Sequence, residues 1–197
     1  MPDINNTNST QANKAATLKG YQVTLRPIGE DDLERLRQWR NDPSVSQFML
    51  SQADISKEQQ QAWFKKIQRD TSQQHFIIEY KERAIGSLNI KARLVGETIE
   101  NATVIEPGLY ISDPTYRNNI VAFSPSLLII DYCFEQLGCQ KLVAVVKSDN
   151  HAALKYNQKL GYKIVKQGDL IEIELNFDDY QAHSKTLKSL LSRTPRT

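Results

Sequence analysis

Residues 106–162 read EPGLYISDPTYRNNIVAFSPSLLIIDYCFEQLGCQKLVAVVKSDNHAALKYNQKLGY, and this stretch decides the fold. It predicts, in order, the end of a strand, a turn, a long helix, a buried strand and a short helix. The strand spans 103–112 and contains Pro107 and Gly108. Because a proline inside a strand is tolerated mainly at an edge or a bulge, we predict a bulge here that splays the strand away from its neighbour.

The turn and the helix after it are typical of an anion site. We predict a helix from about 118 to 138, so the run 117–122 places several backbone N–H groups at a helix N-terminus. Such a terminus binds phosphate through its unpaired donors and the helix dipole, and Arg117 adds a cation. On these residues alone, an ordinary surface turn with a solvated arginine is the alternative.

The closing elements of the stretch are a strand and a capped helix. Residues 141–147 are almost all apolar, which predicts a central strand covered on both faces. Asp149 or Asn150 caps the helix that follows, and Gly161 ends it.

The remaining elements are predicted from apolar periodicity and from helix caps. Upstream, we predict a strand at 23–28, a helix from 30 to 41, an irregular segment at 44–55, a helix capped by Ser56, and a hairpin at 75–80 and 84–91. Downstream, we predict strands at 162–165 and 170–175.

Composition excludes several classes of protein. Lys and Arg total 25 against 23 Asp and Glu, which gives a net charge of +2. This balance lacks the excess of basic residues typical of nucleic-acid-binding proteins. The longest apolar run, at 127–130, is far shorter than the roughly 20 residues of a membrane span. Cys133 and Cys139 make neither a disulfide framework nor a metal site. We therefore expect a cytoplasmic protein with reduced thiols, no metal, no nucleic-acid partner and no membrane.

The length of 197 residues suits a single domain. Residues 1–20 are rich in Asn, Thr, Ser, Gln and Ala and lack the apolar and basic regions of a signal peptide, so they are predicted to be a disordered leader. We expect one domain at 21–197, whose basic C-terminal segment 180–197 has helical spacing at Leu187, Leu190 and Leu191.

In this order, the elements resemble the GNAT superfamily of acyl-CoA N-acyltransferases, from residue 23 to about 175. That family writes its pyrophosphate loop Arg/Gln-x-x-Gly-x-Gly/Ala, and the loop here is similar, Arg117-Asn118-Asn119-Ile120-Val121-Ala122. Ile120 takes the place of the middle glycine, and a β-branched side chain hinders close approach to a phosphate. The ending Lys159-Leu160-Gly161-Tyr162, after Asn150, resembles the most specific helix of the family.

The resemblance implies an α+β fold whose central mixed, mostly antiparallel sheet has about six or seven strands and about four flanking helices, with a bulge that splays the fourth strand. It also implies acetyl-CoA as the cosubstrate, held by the strand backbone, the loop and the last helix. The implied cofactor-binding residues are Leu109, Tyr110, Ile111, Arg117, Asn118, Asn119, Ile120, Val121, Ala122, Asn150 and Asn157.

Acetyl transfer to an amine needs a base, a stabiliser of the oxyanion and a proton for the leaving thiolate. Glu106 stands where many family members place a general base, with a solvated strand-edge glutamate as the equal alternative. Backbone N–H groups near Leu109 or Tyr110 are the implied oxyanion donors. Asn157 stands where the family often has a proton-donating tyrosine, so the neighbouring Tyr156 is the candidate donor, with packing as its alternative role.

The acceptor side resembles one branch of the family, the enzymes that acetylate nucleotide-linked amino sugars. That branch is close in sequence to ribosomal-protein N-terminal acetyltransferases, so a protein N-terminus is the alternative acceptor. A catalytically weak acyl-CoA sensor is the alternative function, and a monomer or a homodimer is expected. The implied acceptor residues are Trp39, Arg40, Asn41, Phe48, Met49 and Trp63, with a place in the helix core as the alternative for each tryptophan.

Overall fold

A computed structural model describes residues 15–193 and shows eight strands in one sheet. The strands are β1 (Leu18–Gly20), β2 (Val23–Pro27), β3 (Gln73–Tyr80), β4 (Arg83–Ala92), β5 (Val104–Ile111), β6 (Lys141–Lys147), β7 (Lys163–Lys166) and β8 (Leu170–Leu175). Their order across the sheet is β1-β2-β3-β4-β5-β6-β8-β7. All neighbours are antiparallel except β5 and β6, which confirms the mixed, mostly antiparallel α+β fold.

The additional strand is β1, and it corrects the boundary placed at residue 20. Leu18 to Gly20 pairs with β2 from Leu18↔Leu25 to Gly20↔Val23, so the fold begins before residue 21. The polar composition of the leader concealed this short edge strand. Residues 1–14 of the predicted leader lie outside the described residues.

The sheet opens between β5 and β6, as predicted. The two strands pair only at Val104↔Lys141 and Ile105↔Leu142, and they part where Pro107 follows. On its other side, β5 keeps one register with β4 from Ala92↔Ile105 to Gly86↔Ile111. The opening therefore comes from the loss of β6 pairing. The predicted bulge is not found in the ladder with β4, whose register contains no extra residue.

The same opening explains why β6 is not covered on both faces, contrary to the sequence prediction. Leu142 and Val146 are buried, but the positions between them are partly exposed. An apolar strand with a free edge lines a cleft instead of filling a core.

Within residues 15–193, seven α-helices accompany the sheet, where about four were expected. They are α1 (Leu33–Asn41), α2 (Pro43–Ser46), α3 (Lys57–Ile67), α4 (Pro114–Arg117), α5 (Ser124–Asp131), α6 (His151–Lys159) and α7 (Phe177–Leu191). The short α2 lies in the segment that was predicted to be irregular. The α7 helix confirms the helical spacing of the C-terminal segment and begins three residues before 180, while residues 194–197 lie outside the described part.

The helix predicted over 118–138 is shorter and interrupted. A 3-10 turn occupies Ile120–Phe123, α5 begins only at Ser124, and a π-turn at Tyr132–Gln136 follows it. Pro125 is the reason, because a proline lacks an N–H and fits only the first turn of a helix.

The antiparallel pairing of β3 and β4 confirms the predicted hairpin, and its turn is tight. Lys81 and Glu82 have φ angles of 48° and 62°. Two residues with positive φ form the hairpin turn whose twist matches that of the strands. This turn fixes which residues of β3 and β4 share a face of the sheet.

The two faces of the sheet have different partners. One face packs on α5 and α7 in a core that includes Phe76, Leu88 and Leu127. Tyr180 of α7 joins this core and donates its hydroxyl to Asp131 of α5 at 2.7 Å. The other face meets α1 and α3 through two tryptophans. None of the helices within residues 15–193 combines the length and apolar character that crossing a membrane requires.

Candidate active site

A cleft of about 510 Å³ lies where β5 and β6 part. Its walls are residues 107–111 of β5, 144–147 of β6, the first half of α6 and the segment 44–50 after α1. The structure brings eight of the eleven cofactor-binding candidates to this cleft: Leu109, Tyr110, Ile111, Arg117, Asn118, Ala122, Asn150 and Asn157. The other three, Asn119, Ile120 and Val121, belong to the adjoining loop.

Of the two expected oxyanion donors, the backbone N–H groups of Leu109 and Tyr110 in β5, one points to the cleft. The carbonyl oxygen of Val104 accepts a hydrogen bond from Arg93 on the β4 side at 2.9 Å. The carbonyl of Tyr110 also faces β4, only 2.2 Å from where a Cβ on Gly86 would lie. Because backbone groups alternate along a strand, Leu109 turns its N–H toward the cleft and Tyr110 does not. Leu109 is therefore the oxyanion candidate, and Pro107 beside it has no N–H to offer.

The loop after α4 holds its N–H groups by itself. Asn119 accepts the N–H of Val121 on its side-chain oxygen at 3.1 Å and the N–H of Ala122 on its carbonyl at 2.9 Å. Among residues 15–193, the non-glycine residues with positive φ are Tyr21, Gln22, Lys81 and Glu82, so Ile120 is in an ordinary conformation. Its side chain is 42% exposed. The loop thus needs no glycine for its backbone at this position.

Arg117 does not present a free cation to the cleft. Its Nε donates to the carbonyl of Ile111 at 2.8 Å, and its Nη2 donates to the carbonyl of Ser112 at 2.8 Å and to the hydroxyl of Ser44 at 2.9 Å. The sequence left two alternatives for Arg117, a phosphate ligand and a solvated arginine. Neither of them includes these hydrogen bonds to protein oxygens. Sequence spacing contains no signal for a partner 73 positions away.

The first turn of α6 has the geometry expected of a capped helix. Asn150 accepts the N–H of Ala153 on its side-chain oxygen at 3.1 Å. Asn157 donates its side-chain amide to the carbonyl of Ala153 at 2.9 Å. Both amides border the cleft, so the helix end and its next turn face the same space.

Tyr156 also borders the cleft, but its hydroxyl is engaged. It donates to the carbonyl of Ala122 at 2.9 Å and lies 2.7 Å from the hydroxyl of Ser126. Its ring stacks on Phe123 with centroids 4.5 Å apart. Burial raises its pKa above the ordinary value. These contacts support the packing role, and proton donation by Tyr156 stays a prediction.

Glu106 lies on β5 just after the pairing with β6 ends. Its partner across the ladder is Lys91, and its carboxylate is 3.4 Å from the guanidinium of Arg93. The side chain of Glu106 is 32% exposed. The residue thus stands at the mouth of the opening with two cations beside it.

The acceptor candidates fall into two groups. Phe48 and Met49 line the cleft, and Phe48 is 51% exposed. Trp39 packs edge-on against Tyr110 with ring centroids 6.4 Å apart, and Arg40 exerts its charge on the same tyrosine, whose pKa burial raises to about 12.

Asn41 corrects one expectation. Its side chain donates to the carbonyl of Ile55 and accepts the N–H of Ile55, each at 2.9 Å. Both polar ends of the amide are therefore used to close the segment between α1 and α3. Asn41 is a structural residue, and its amide is not free for an acceptor.

His75 is a residue of the acceptor face that sequence reasoning left without a partner. Trp63 packs edge-on against its ring at 5.1 Å, and its Nε2 lies 2.8 Å from the side-chain oxygen of Gln73. An amide oxygen only accepts, so Nε2 carries the proton. Desolvation by burial, with Lys91 nearby, lowers the pKa of His75 to about 4. The ladder pairs His75 with Asn89 and Asn89 with Gly108, so His75 lies in line with the part of β5 that borders the cleft. The register of the hairpin was the signal that could have placed His75 there.

Neither cysteine belongs to the cleft. Cys133 and Cys139 are buried and free, and burial raises the pKa of both thiols, that of Cys139 to about 11. Within the described residues, no group of three or more His, Cys, Asp or Glu side chains is placed to hold a metal ion.

Comparisons with known proteins agree with this geometry. Residues 22–163 match the family profile described as "Acetyltransferase (GNAT) domain". The chain is 30% identical over 158 residues to Acetyltransferase PseH of Campylobacter jejuni, which covers 79% of this chain and 92% of that protein.

Two solved structures show the same fold. The structure of the Campylobacter jejuni N-acetyltransferase PseH with acetyl coenzyme A has a TM-score of 0.59 and 24% identity, covering 79% of this chain and 99% of that one. The structure of spermidine N-acetyltransferase from Vibrio cholerae with CoA and spermine has a TM-score of 0.68 and 18% identity, covering 81% and 98%.

Proposed function

The chain belongs to the GNAT acetyltransferase family and is an acetyl-CoA-dependent N-acetyltransferase, and from this premise we propose that its acceptor is the primary amine of a nucleotide-linked amino sugar. The observation that supports this acceptor most is the charge around Glu106. Lys91 and Arg93 flank the carboxylate, and Arg40 acts on the adjacent Tyr110. Cations in this position favour an acceptor that carries phosphate and disfavour a polyamine.

The cofactor runs along the free edge of β5. Residues 107–111 hold the pantetheine arm in place of the missing β6 partner, and the N–H of Leu109 donates a hydrogen bond to the thioester oxygen. The pyrophosphate meets the loop 118–122, and Asn150 contacts the arm from the start of α6. This placement follows the cleft walls and the residues that resemble the family motif.

Glu106 supplies the base of the reaction. It takes a proton from the acceptor amine, directly or through a water, as the nitrogen forms its bond to the acetyl carbon. The N–H of Leu109 stabilises the negative oxygen that develops there. When the carbon–sulfur bond breaks, the thiolate needs a proton, for which Tyr156 is the nearest candidate side chain on α6. Its engaged hydroxyl makes water the alternative donor.

The aromatic residues around Glu106 shape the acceptor site. Trp39 lies over Tyr110, and Phe48 with Met49 forms the opposite wall of the cleft. An indole ring stacks well on a base or sugar, and Arg40 is able to pair with a phosphate.

Two other functions have their own supporting observation. A protein N-terminus is the alternative acceptor because the Leu25-Arg26-Pro27 opening is similar to that of N-terminal acetyltransferases. In this structure, however, Arg26 forms a bidentate pair with Asp32, which is a structural use of that opening. A weak sensor is the alternative function, since the loop N–H groups of Val121 and Ala122 are already bonded.

A thiol-release assay across acceptors tests the proposal. The acceptors are nucleotide-linked amino sugars, the same amino sugars without the nucleotide, ribosomal-protein N-terminal peptides and spermidine. We expect the highest kcat/KM for a nucleotide-linked sugar and a loss of at least about tenfold without the nucleotide, because its phosphates no longer meet the cations. A higher kcat/KM for a peptide or spermidine refutes the acceptor. Binding of acetyl-CoA with no turnover on any amine supports the sensor.

A further inference from the structure

Two cations of the cofactor side reach across the cleft to the opposite wall. The Nη2 of Arg117 donates to the hydroxyl of Ser44 at 2.9 Å, and its Nη1 lies 3.4 Å from the carbonyl of the same residue. Lys147, at the end of β6, donates to the carbonyl of Gln47 at 3.3 Å. Both contacts end on the segment 43–50, which comprises α2 and the turns after it.

The segment 43–50 has few other anchors. Val45 is its buried residue, with 3% of its surface exposed, whereas Phe48 and Leu50 are 51% and 67% exposed. Asp42 caps α2 by accepting the N–H of Ser44 at 2.7 Å. A short helix with one buried side chain is held weakly by packing. The amide of Gln52 also donates to the carbonyl of Gln47 at 3.1 Å, and the other anchors of the segment are the cations that reach it from across the cleft.

The other donors of Arg117 show why this contact is rigid. The guanidinium also holds the carbonyls of Ile111 and Ser112 at the end of β5. Its planar fork therefore joins β5 and Ser44 in one fixed geometry, which a lysine ammonium does not reproduce. A hydrogen bond from a charged donor is also stronger than one between neutral groups.

We propose that Arg117 is a positioning residue of the acceptor wall, which fixes the segment 43–50 against the end of β5, and that it is not a ligand of the cofactor pyrophosphate. The inference rests on the proposed function only in taking Phe48 and Met49 as part of the acceptor site. In this proposal, Arg117, the first residue of the loop motif, positions the acceptor wall. The pyrophosphate of the cofactor is bound by the backbone of the loop.

Three variants test the inference with two readouts that need no acceptor. Arg117→Lys keeps the charge and removes the fork, Ser44→Ala removes the hydroxyl, and Arg69→Lys, on the exposed turn after α3, is the matched control. Hydrogen–deuterium exchange reports the opening of residues 43–50, and calorimetry reports the affinity for acetyl-CoA. The KM for the best acceptor of the thiol-release assay is the third readout.

We expect faster exchange at 43–50 in Arg117→Lys and Ser44→Ala, with acetyl-CoA affinity within about twofold of the parent. The acceptor KM rises by about fivefold to tenfold, as for one lost hydrogen bond to a charged group, and kcat changes less. Arg69→Lys behaves as the parent does. Unchanged exchange in Ser44→Ala, or a loss of acetyl-CoA affinity of about tenfold or more in Arg117→Lys, overturns the inference. Because exchange and cofactor affinity need no acceptor, a wrong acceptor assignment leaves this test intact.

Discussion

Glu106 is the residue to which we assign the general base of the reaction. It sits one position beyond Ile105, the last residue of β5 that pairs with β6, and Lys91 and Arg93 lie beside it. We propose that these two cations also bind the phosphates of the acceptor, so that one cluster would serve both substrate binding and proton transfer.

Replacing Glu106 by Gln removes the base and keeps the shape. We expect kcat to fall by about 100-fold, the lower end of what general-base catalysis contributes, with acetyl-CoA affinity unchanged in calorimetry. Glu100→Gln, on the exposed turn before β5, is the matched control and retains the parent kcat. An unchanged kcat in Glu106→Gln removes this residue as the base.

His75 makes the stability of the fold depend on pH. Its pKa falls from 6.5 to about 4 on folding, so between these values the unfolded chain binds a proton that the folded chain does not. The free energy of unfolding therefore decreases as the pH falls through this window and is fully retained above it. Lys91 and Asp70 are the charged neighbours that act on the ring.

Urea unfolding at pH 7 and pH 5 measures this dependence. We expect the parent to lose about 2 kcal/mol more between these values than His75→Gln, which has no imidazole to protonate at this buried position. His183→Gln on the exposed side of α7 is the control and loses stability as the parent does. Equal losses in His75→Gln and the parent contradict the assignment.

For single residues, the sequence predicted which positions lie near the cleft better than it predicted what their side chains bind. The motif resemblance selected Arg117, Asn41 and Tyr156, and each polar side chain instead holds a backbone carbonyl. Such contacts join residues distant in sequence, which no local pattern encodes. His75 was missed in part for the same reason, since Trp63, which packs on its ring, lies on α3, although Gln73 is only two residues away in the same strand.

The α6 helix is defined by the residues at its two ends. Asn150 caps it at the start, and Gly161 ends it with a φ of +103°. A Cβ at Gly161 would lie 2.7 Å from the carbonyl oxygen of Asp179, so only glycine fits both the conformation and the space. These ends set the direction in which Asn150 and Asn157 face the cleft.

Gly161→Ala is therefore expected to be more destabilising than Gly138→Ala. Gly138 also has a positive φ, +68°, but nothing lies within 4 Å of its Cβ position. The control loses about 1 kcal/mol for the left-handed conformation alone. Gly161→Ala loses at least about 1 kcal/mol more because the backbone of α7 must also move. Thermal unfolding compares the two, and equal losses refute the role of the close contact.

Elements with a local cause were predictable. Ser56 and Asn150 as caps and Gly161 as a stop each act within one turn, so the pattern of residues contains them. The interruption of the helix over 118–138 was not predicted because the apolar spacing continues without a break through Pro125. The strand β1 was missed because three edge residues in a polar segment carry almost no periodicity.

At the scale of the whole molecule, the cleft exists because β5 and β6 stop pairing after Ile105. Eight strands form a continuous sheet except after Ile105, where β5 and β6 diverge. The free backbone edge of β5 is then available to a ligand instead of a strand, and α6 with the segment 43–50 closes the space. The splay was predictable because Pro107 and Gly108 mark it locally. The cation contacts that join its walls depend on the assembled fold.

The measurement that tests this account most directly is calorimetry of acetyl-CoA with the parent chain and with Ala153→Trp, a change that fills the cleft from α6. Ala182→Trp, on the exposed side of α7, is the matched control. We expect the parent and the control to bind acetyl-CoA equally, and Ala153→Trp to bind at least about tenfold more weakly at an unchanged melting temperature. Equal binding by Ala153→Trp, or no binding by the parent at millimolar acetyl-CoA, contradicts a cofactor site between β5 and β6.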